Sequence, residues 1–189
     1  VAELIRRRFV EEDLVVTDGP VVAVNEHSSD PHFEPDPGNA SPISQGDWLL
    51  IDLWARMNEP DSMFADITWT AYVGGDVPHR NREVFQAVIG GRDAALESIR
   101  NAFNDGRVRQ GWEVDEVPRD HIELLGFGRY FNHRLGHSLG REVHSNAVNL
   151  DGWETHDTRQ LIPGIAVTIE PGIYLPEFGV RSEIDVYLD

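Results

Sequence analysis

"WLLIDLWARMNEPDSMFADITWTAYVG", Trp48 to Gly74, holds two runs rich in bulky apolar residues on either side of the turn "NEPD" (58–61). Runs of this composition, separated by a polar turn containing proline, read as two paired strands. Each carries an acid where an apolar residue is expected. Asp52 interrupts "LLIDLW", and Asp66 follows Met63, Phe64 and Ala65 and precedes Ile67.

The rest of the chain extends this pattern. "VVAVN" (21–25) reads as a strand, followed by the Pro-, Gly- and Ser-rich loop "EHSSDPHFEPDPGNASPISQGD" (26–47). From Asn81 to Asn104, Phe85, Val88, Ile89, Ala95, Leu96, Ile99 and Phe103 recur at helical spacing, with Gly90-Gly91 a weak point midway. "WEVDEVPRDHIELLG" (112–126) is a second, weaker helix, which Pro118 permits only if it falls near an end. Strand character returns in "GIAVTIEPGIYL" (164–175) and "GVRSEIDVYL" (179–188). Strands and hairpins with helices set between them predict an α+β domain on a largely antiparallel sheet.

The 189 residues suit one domain with a sizeable core, and 40% hydrophobic content excludes a disordered or fibrous chain. No run of eighteen apolar residues is present, so no membrane span is expected. The first residues, "VAELIRRRFVEEDL", read as an amphipathic helix with Leu4, Ile5, Phe9 and Val10 among charges. They do not read as a leader, and the abrupt start suggests a chain cut from something longer. The absence of cysteine removes disulfides and thiolate ligands together. A net charge of −17 disfavours nucleic acid and anionic membranes as partners, and is compatible with carboxylates that hold cations.

Two more acids lie in the late strands: Glu170 ends "AVTIE", and Glu183 sits between Ser182 and Ile184. Side chains alternate along a strand, so Thr168 and Glu170 face away from Val167 and Ile169. Likewise Arg181, Glu183 and Asp185 share a face opposite Val180, Ser182 and Ile184. Any one of these acids is accounted for by a wet sheet face. Truly buried carboxylates cost several kcal/mol each unless paired or metal-bound. For four of them, with histidines nearby in sequence, a shared cation is the more economical account.

The histidines stand in "HRLGHSLGREVH", His133 to His144. A helical HExxH zinc site does not fit, because Arg134 takes the place of the required Glu and Gly136 and Gly140 oppose a helix. Two Asp, two Glu and one His instead make an oxygen-rich shell suited to Mn²⁺, Co²⁺ or Fe²⁺. Four carboxylates exceed what one ion needs, and two ions sharing bridging carboxylates would activate water for hydrolysis.

Six segments, in this order, resemble the pita-bread metallopeptidases, in particular their aminopeptidase P and prolidase branch: "DPHFEP", "GDWLLID", "DITWT", "HRLGHSLGREVH", "IEPGIY" and "GVRSEID". The likeness covers nearly the whole chain. It implies a curved, largely antiparallel sheet flanked by helices, with residues 1–189 a catalytic domain shortened at its N-terminus and lacking a preceding domain. It implies five metal ligands, with Asp66 and Glu183 bridging two ions, Asp52 holding one, and His137 and Glu170 the other. Mn²⁺ is expected first, with Co²⁺, Fe²⁺ or Zn²⁺ as alternatives.

His32, His133, His144 and Arg181 are then expected on the substrate side, Arg181 pairing with a substrate carboxylate and His144 and His32 bonding the developing oxyanion. Glu170 is expected to move the proton. The implied activity is hydrolysis of the peptide bond before proline in a peptide or dipeptide, in a cytoplasmic enzyme for which a homodimer is allowed. The alternative is a peptide-binding module without catalysis, which the complete ligand set disfavours. Two departures, Trp54 where the family often has Gly and Trp69 where it often has Arg, are expected beside the site, and the turn between Asp52 and Asp66 is longer than the family's. Trp112 and Trp153 are expected to pack, and His27, His79, His121 and His156 to be ordinary surface or loop residues.

Overall fold

A computed structural model describes all residues, 1–189. Strand β1 (Leu14–Val15) and strand β2 (Val21–Val24) both pair antiparallel with the long β3 (Trp48–Met57). Strand β4 (Ala65–Tyr72) pairs with β3 through eight residues, Trp48↔Tyr72 to Ala55↔Ala65. In that register Asp52 lies opposite Thr68 and Trp54 opposite Asp66. Residues directly opposite share a sheet face, so both acids and Trp54 point to one side. Ile67 and Trp69 point to the other, and Trp69 is 72% exposed there. Trp69 is therefore not beside the site, contrary to expectation.

Helix α1 (Ala2–Glu11) precedes the sheet, helix α2 (His79–Asn104) follows it, and helix α3 (Gly111–Leu124) packs on α2. Of the apolar face expected at the start, only Phe9 is buried, and Leu4 and Val10 are exposed. Gly90 and Gly91 lie inside α2, where they serve packing. A Cβ on Gly91 would stand 3.2 Å from the Pro118 Cβ, and one on Gly90 would meet the His121 ring. Pro118 is buried in mid-helix rather than near an end. A proline there removes a helical hydrogen bond, a cost of about 3 kcal/mol that close α2–α3 contact offsets.

The late segments break where the sequence suggested continuous strands. Strand β5 (Ser138–Leu139) pairs with β6 (Ala166–Ile169), and β6 with β9 (Ile184–Tyr187). Strand β7 (Gly172–Tyr174) pairs separately with β8 (Gly179–Arg181). The hairpin thus changes sheets at Glu170-Pro171 and at Ser182-Glu183. Pro171 has no N–H to donate and ends the first ladder. Both glutamates sit at these jogs, released from regular pairing and free to turn inward. All named strand pairs are antiparallel.

The main core lies between the helices and the late strands. Val84, Val88 and Ile99 of α2 and Val114 and Ile122 of α3 meet Val167, Ile169, Ile173 and Val180. The early sheet is fastened to it across the site, as the Glu183 N–H donates to the Thr68 carbonyl (3.2 Å) and the Asp66 N–H to the Asp185 carboxylate (3.0 Å).

Candidate metal centre

The face of β3 and β4 that carries the two aspartates turns toward the jogs that carry the two glutamates. Asp66, His137 and Glu183 are each 5% exposed or less, and one ligand atom from each lies within 4.8 Å of the others. His137 Nε2 is 3.4 Å from Glu170 Oε1 and 3.6 Å from Asp66 Oδ2. These separations are long for hydrogen bonds. They suit donors converging on a common ion, since two bonds of about 2.1 Å meeting at right or tetrahedral angles hold their donors about 3.0–3.4 Å apart. Asp52 completes the group from β3. Its Oδ1 and the Oδ1 of Asp66 are buried without a hydrogen-bond partner. Orphaned buried carboxylate oxygens are costly and rare, and a bound cation would satisfy them. The donor set fits a hard divalent metal.

Electrostatics point the same way. Burial, with Asp52 and Asp185 nearby, pushes the Asp66 carboxyl up to about 8. Burial lifts Glu170 to about 7, and burial together with Glu170, Asp66 and Asp52 holds Glu183 well above the usual carboxylate range. So many crowded carboxylates cannot all ionise beside one arginine, whereas cations would let them.

Neighbouring groups orient these side chains. Thr168 Oγ1 accepts from the His137 N–H (3.0 Å) and donates to Glu170 Oε1 (3.1 Å). Thr68 Oγ1 donates to Glu183 Oε2 (2.7 Å) and accepts from Arg181 Nε (2.9 Å). Arg181 also donates to Asp52 Oδ2 (2.5 Å) and to the Tyr174 hydroxyl (2.8 Å). Burial opposes its charge, but Tyr174, Asp52, Glu170 and Glu183 raise it well above the usual value. With 3% exposure and its donors turned to these partners, Arg181 braces the site from within.

Tyr174 was not among the sequence candidates, nor was Thr68. Its hydroxyl lies 2.8 Å from His133 Nε2, while His133 Nδ1 is 2.7 Å from the Arg134 carbonyl. A carbonyl only accepts, so Nδ1 carries the proton and Nε2 accepts from Tyr174. Burial and Arg181 hold His133 down at about 3, so it is a neutral ring with both nitrogens engaged.

A second set of residues holds the histidine segment. Asp115, fully buried on α3, accepts from the Leu135 and Gly152 N–H groups (2.8 and 2.9 Å). It pairs with Arg119 one turn on, and Arg119 donates to the Phe131 and His133 carbonyls. The spacing of an i,i+4 pair was readable in the sequence, but its burial was not.

All nine predicted site residues border one cavity of about 500 Å³: Asp52, Asp66, His137, Glu170 and Glu183 with His32, His133, His144 and Arg181. His32 and His144 are exposed at its mouth. His27 stacks on Phe33 and His156 on Trp112. These two, like His79 and His121, lie outside the cavity. Trp112 bonds Gln110, and Trp153 lies against Arg119 while 58% exposed.

A model of metallopeptidase family M24 matches residues 1–189. The chain belongs to this family. M24 relatives include an Xaa-Pro dipeptidase of Pyrococcus horikoshii, 36% identical over 75% of this chain and 36% of its own. Another, from Pyrococcus furiosus, is 34% identical over 89% of this chain and 44% of its own. Among solved structures, the prolidase from Pyrococcus furiosus aligns with a TM-score of 0.73 at 30% identity, covering 89% of this chain and 45% of that one. The X-Pro aminopeptidase from Thermotoga maritima aligns at 0.79 and 28%, covering 99% and 49%. The M24 chain described here spans less than half the length of these relatives. Its architecture is the α+β pita-bread fold expected from the sequence.

Proposed function

We propose that residues 1–189 are the catalytic domain of a dinuclear metallopeptidase that hydrolyses the bond preceding proline. The observation that carries this is the convergence of Asp52, Asp66, His137, Glu170 and Glu183 around a cavity, with two buried carboxylate oxygens unpartnered. Asp52, Asp66, His137, Glu170 and Glu183 would hold the two ions, and Mn²⁺ is the first choice. When bound, such ions supply Lewis acidity that polarises the scissile carbonyl and acidifies water.

The chain's own groups do the rest. Glu170, which borders the cavity, takes and returns a proton at Oε1. His144, held down at about 4 by burial and by His137, stays neutral and offers an N–H to the substrate oxygen from the cavity mouth. His32 offers an N–H from the facing loop. His133, Tyr174 and Arg181 keep the proline-side wall and Asp52 in place. The names of the Pyrococcus and Thermotoga relatives support an X-Pro substrate for this chain.

The test is to load the full-length protein with Mn²⁺ or Co²⁺ and assay an X-Pro dipeptide against a longer X-Pro peptide. We expect cleavage before proline, abolished by chelation, and the faster substrate separates dipeptidase from aminopeptidase action. No cleavage of either by metal-loaded protein would overturn the proposal.

A further inference from the structure

We infer that Trp54 builds an apolar wall for the side chain of the residue before proline, and so makes this enzyme prefer apolar X in X-Pro; the inference rests on the function proposed above. Of the 23 residues lining the cavity, only Val21, Trp54 and Val143 are hydrophobic. Trp54 links the other two through shared clusters. The Trp54 indole packs on the Val21–Leu50 cluster at one edge and on the cluster of Phe64, Leu139 and Ala166, with Val143, at the other. It faces the cavity directly opposite Asp66 in the β3–β4 register.

The indole is seated. Its Nε1–H reaches Thr17 Oγ1 and Asp18 Oδ1, both at 3.1 Å. Its six-membered ring lies over Gly19, where a Cβ would stand 2.7 Å from the ring. Only glycine fits beneath the ring, and Gly19 has φ +78°, a conformation side chains resist. The wall is thus held from beneath by Gly19 and at its polar edge by Thr17 and Asp18.

Two residues flank the attacked carbonyl, and two surfaces flank the carboxylate cage. Pro31, Pro35, His32 and His133 line the cavity too, with Arg181 Nη1 reaching the Pro31 carbonyl (3.5 Å), and these rings are the surface we assign to the proline. The side chain of X is left to the Trp54 side. Each methylene buried there is worth tenfold or more in discrimination.

The test compares Leu-Pro, Phe-Pro, Ser-Pro and Asp-Pro by kcat/KM in the Mn²⁺-loaded full-length protein. Affinities of the non-cleavable reduced-bond Leu-Pro and Ser-Pro analogues are measured by calorimetry in parallel. The wild type should favour Leu and Phe over Ser by about tenfold or more in both measurements. Trp54→Gly should bring that ratio to within about twofold, Trp54→Phe should keep most of it, and Trp69→Gly should leave it unchanged. A wild type without the preference overturns the inference, as does a Trp54→Gly variant that loses activity evenly across the series, which would put the indole against the proline. Absence of all cleavage would instead count against the proposed function, and the analogue affinities would still decide the role of Trp54.

Discussion

The Tyr174 hydroxyl lies 2.8 Å from His133 Nε2 and, on its other side, 2.8 Å from Arg181 Nη1, which joins the histidine segment to the Asp52 ligand through one oxygen. Partners that orient ligands typically contribute ten- to a hundredfold in metal affinity or activity. Tyr174→Phe keeps the ring and removes only that oxygen. Steady-state kinetics of the variant should show kcat/KM down by roughly ten- to a hundredfold, with the fold retained by circular dichroism. An unchanged value would make the bridge incidental.

The metal-free protein should carry a pH dependence of defined sign. Asp66 at about 8 and Glu170 at about 7 lie above ordinary carboxylate values, so the stability they contribute is full at low pH and lost as pH rises through 7–8. His133 at about 3 and His144 at about 4 act oppositely, and their contribution is lost below about 6.5. Between pH 8 and 6.5 only the carboxylates act. Thermal melts of chelator-stripped protein should therefore rise in Tm as pH falls across that window. Saturating Mn²⁺ should remove the loss at pH 8. A stripped protein most stable at pH 8 would contradict the crowding argument.

Asp66→Asn should change sign with metal. Without metal at pH 8 it removes a carboxylate that burial and Asp52 disfavour, so Tm should rise. With saturating Mn²⁺ it removes a proposed ligand, so Tm should fall relative to wild type. Equal shifts under both conditions would separate Asp66 from any ion.

Much of this site could be read before folding was known, because its acids violate the pattern around them. Asp52 and Asp66 stand in apolar strands, and strand alternation correctly put Glu170 and Thr168 opposite Val167 and Ile169. The same alternation applied two residues beyond Asp66 would have found Thr68. Tyr174 was harder, since Pro171 breaks the strand between it and Glu170. Trp69 was placed beside the site because its motif neighbours are ligands, yet odd parity on β4 turns it outward. Helix propensity alone puts Pro118 near a helix end, and the contact with Gly91 that compensates it is tertiary.

Asp115 illustrates what local sequence does not carry. Its carboxylate collects the Leu135 and Gly152 N–H groups and Arg119 in full burial. Removing one partner of a buried pair costs about 3–5 kcal/mol. Asp115→Ala should lower the unfolding free energy of the metal-loaded protein by that order in urea titrations. A loss below about 1 kcal/mol would show that water replaces the carboxylate there.

The central claim is that five side chains from five separated segments hold two divalent ions. Calorimetric titration of Mn²⁺ into chelator-stripped protein measures this directly. The account predicts about two ions per chain, falling to one or none in Asp66→Ala. A folded, stripped wild type that takes up no Mn²⁺, Co²⁺, Fe²⁺ or Zn²⁺ would contradict it.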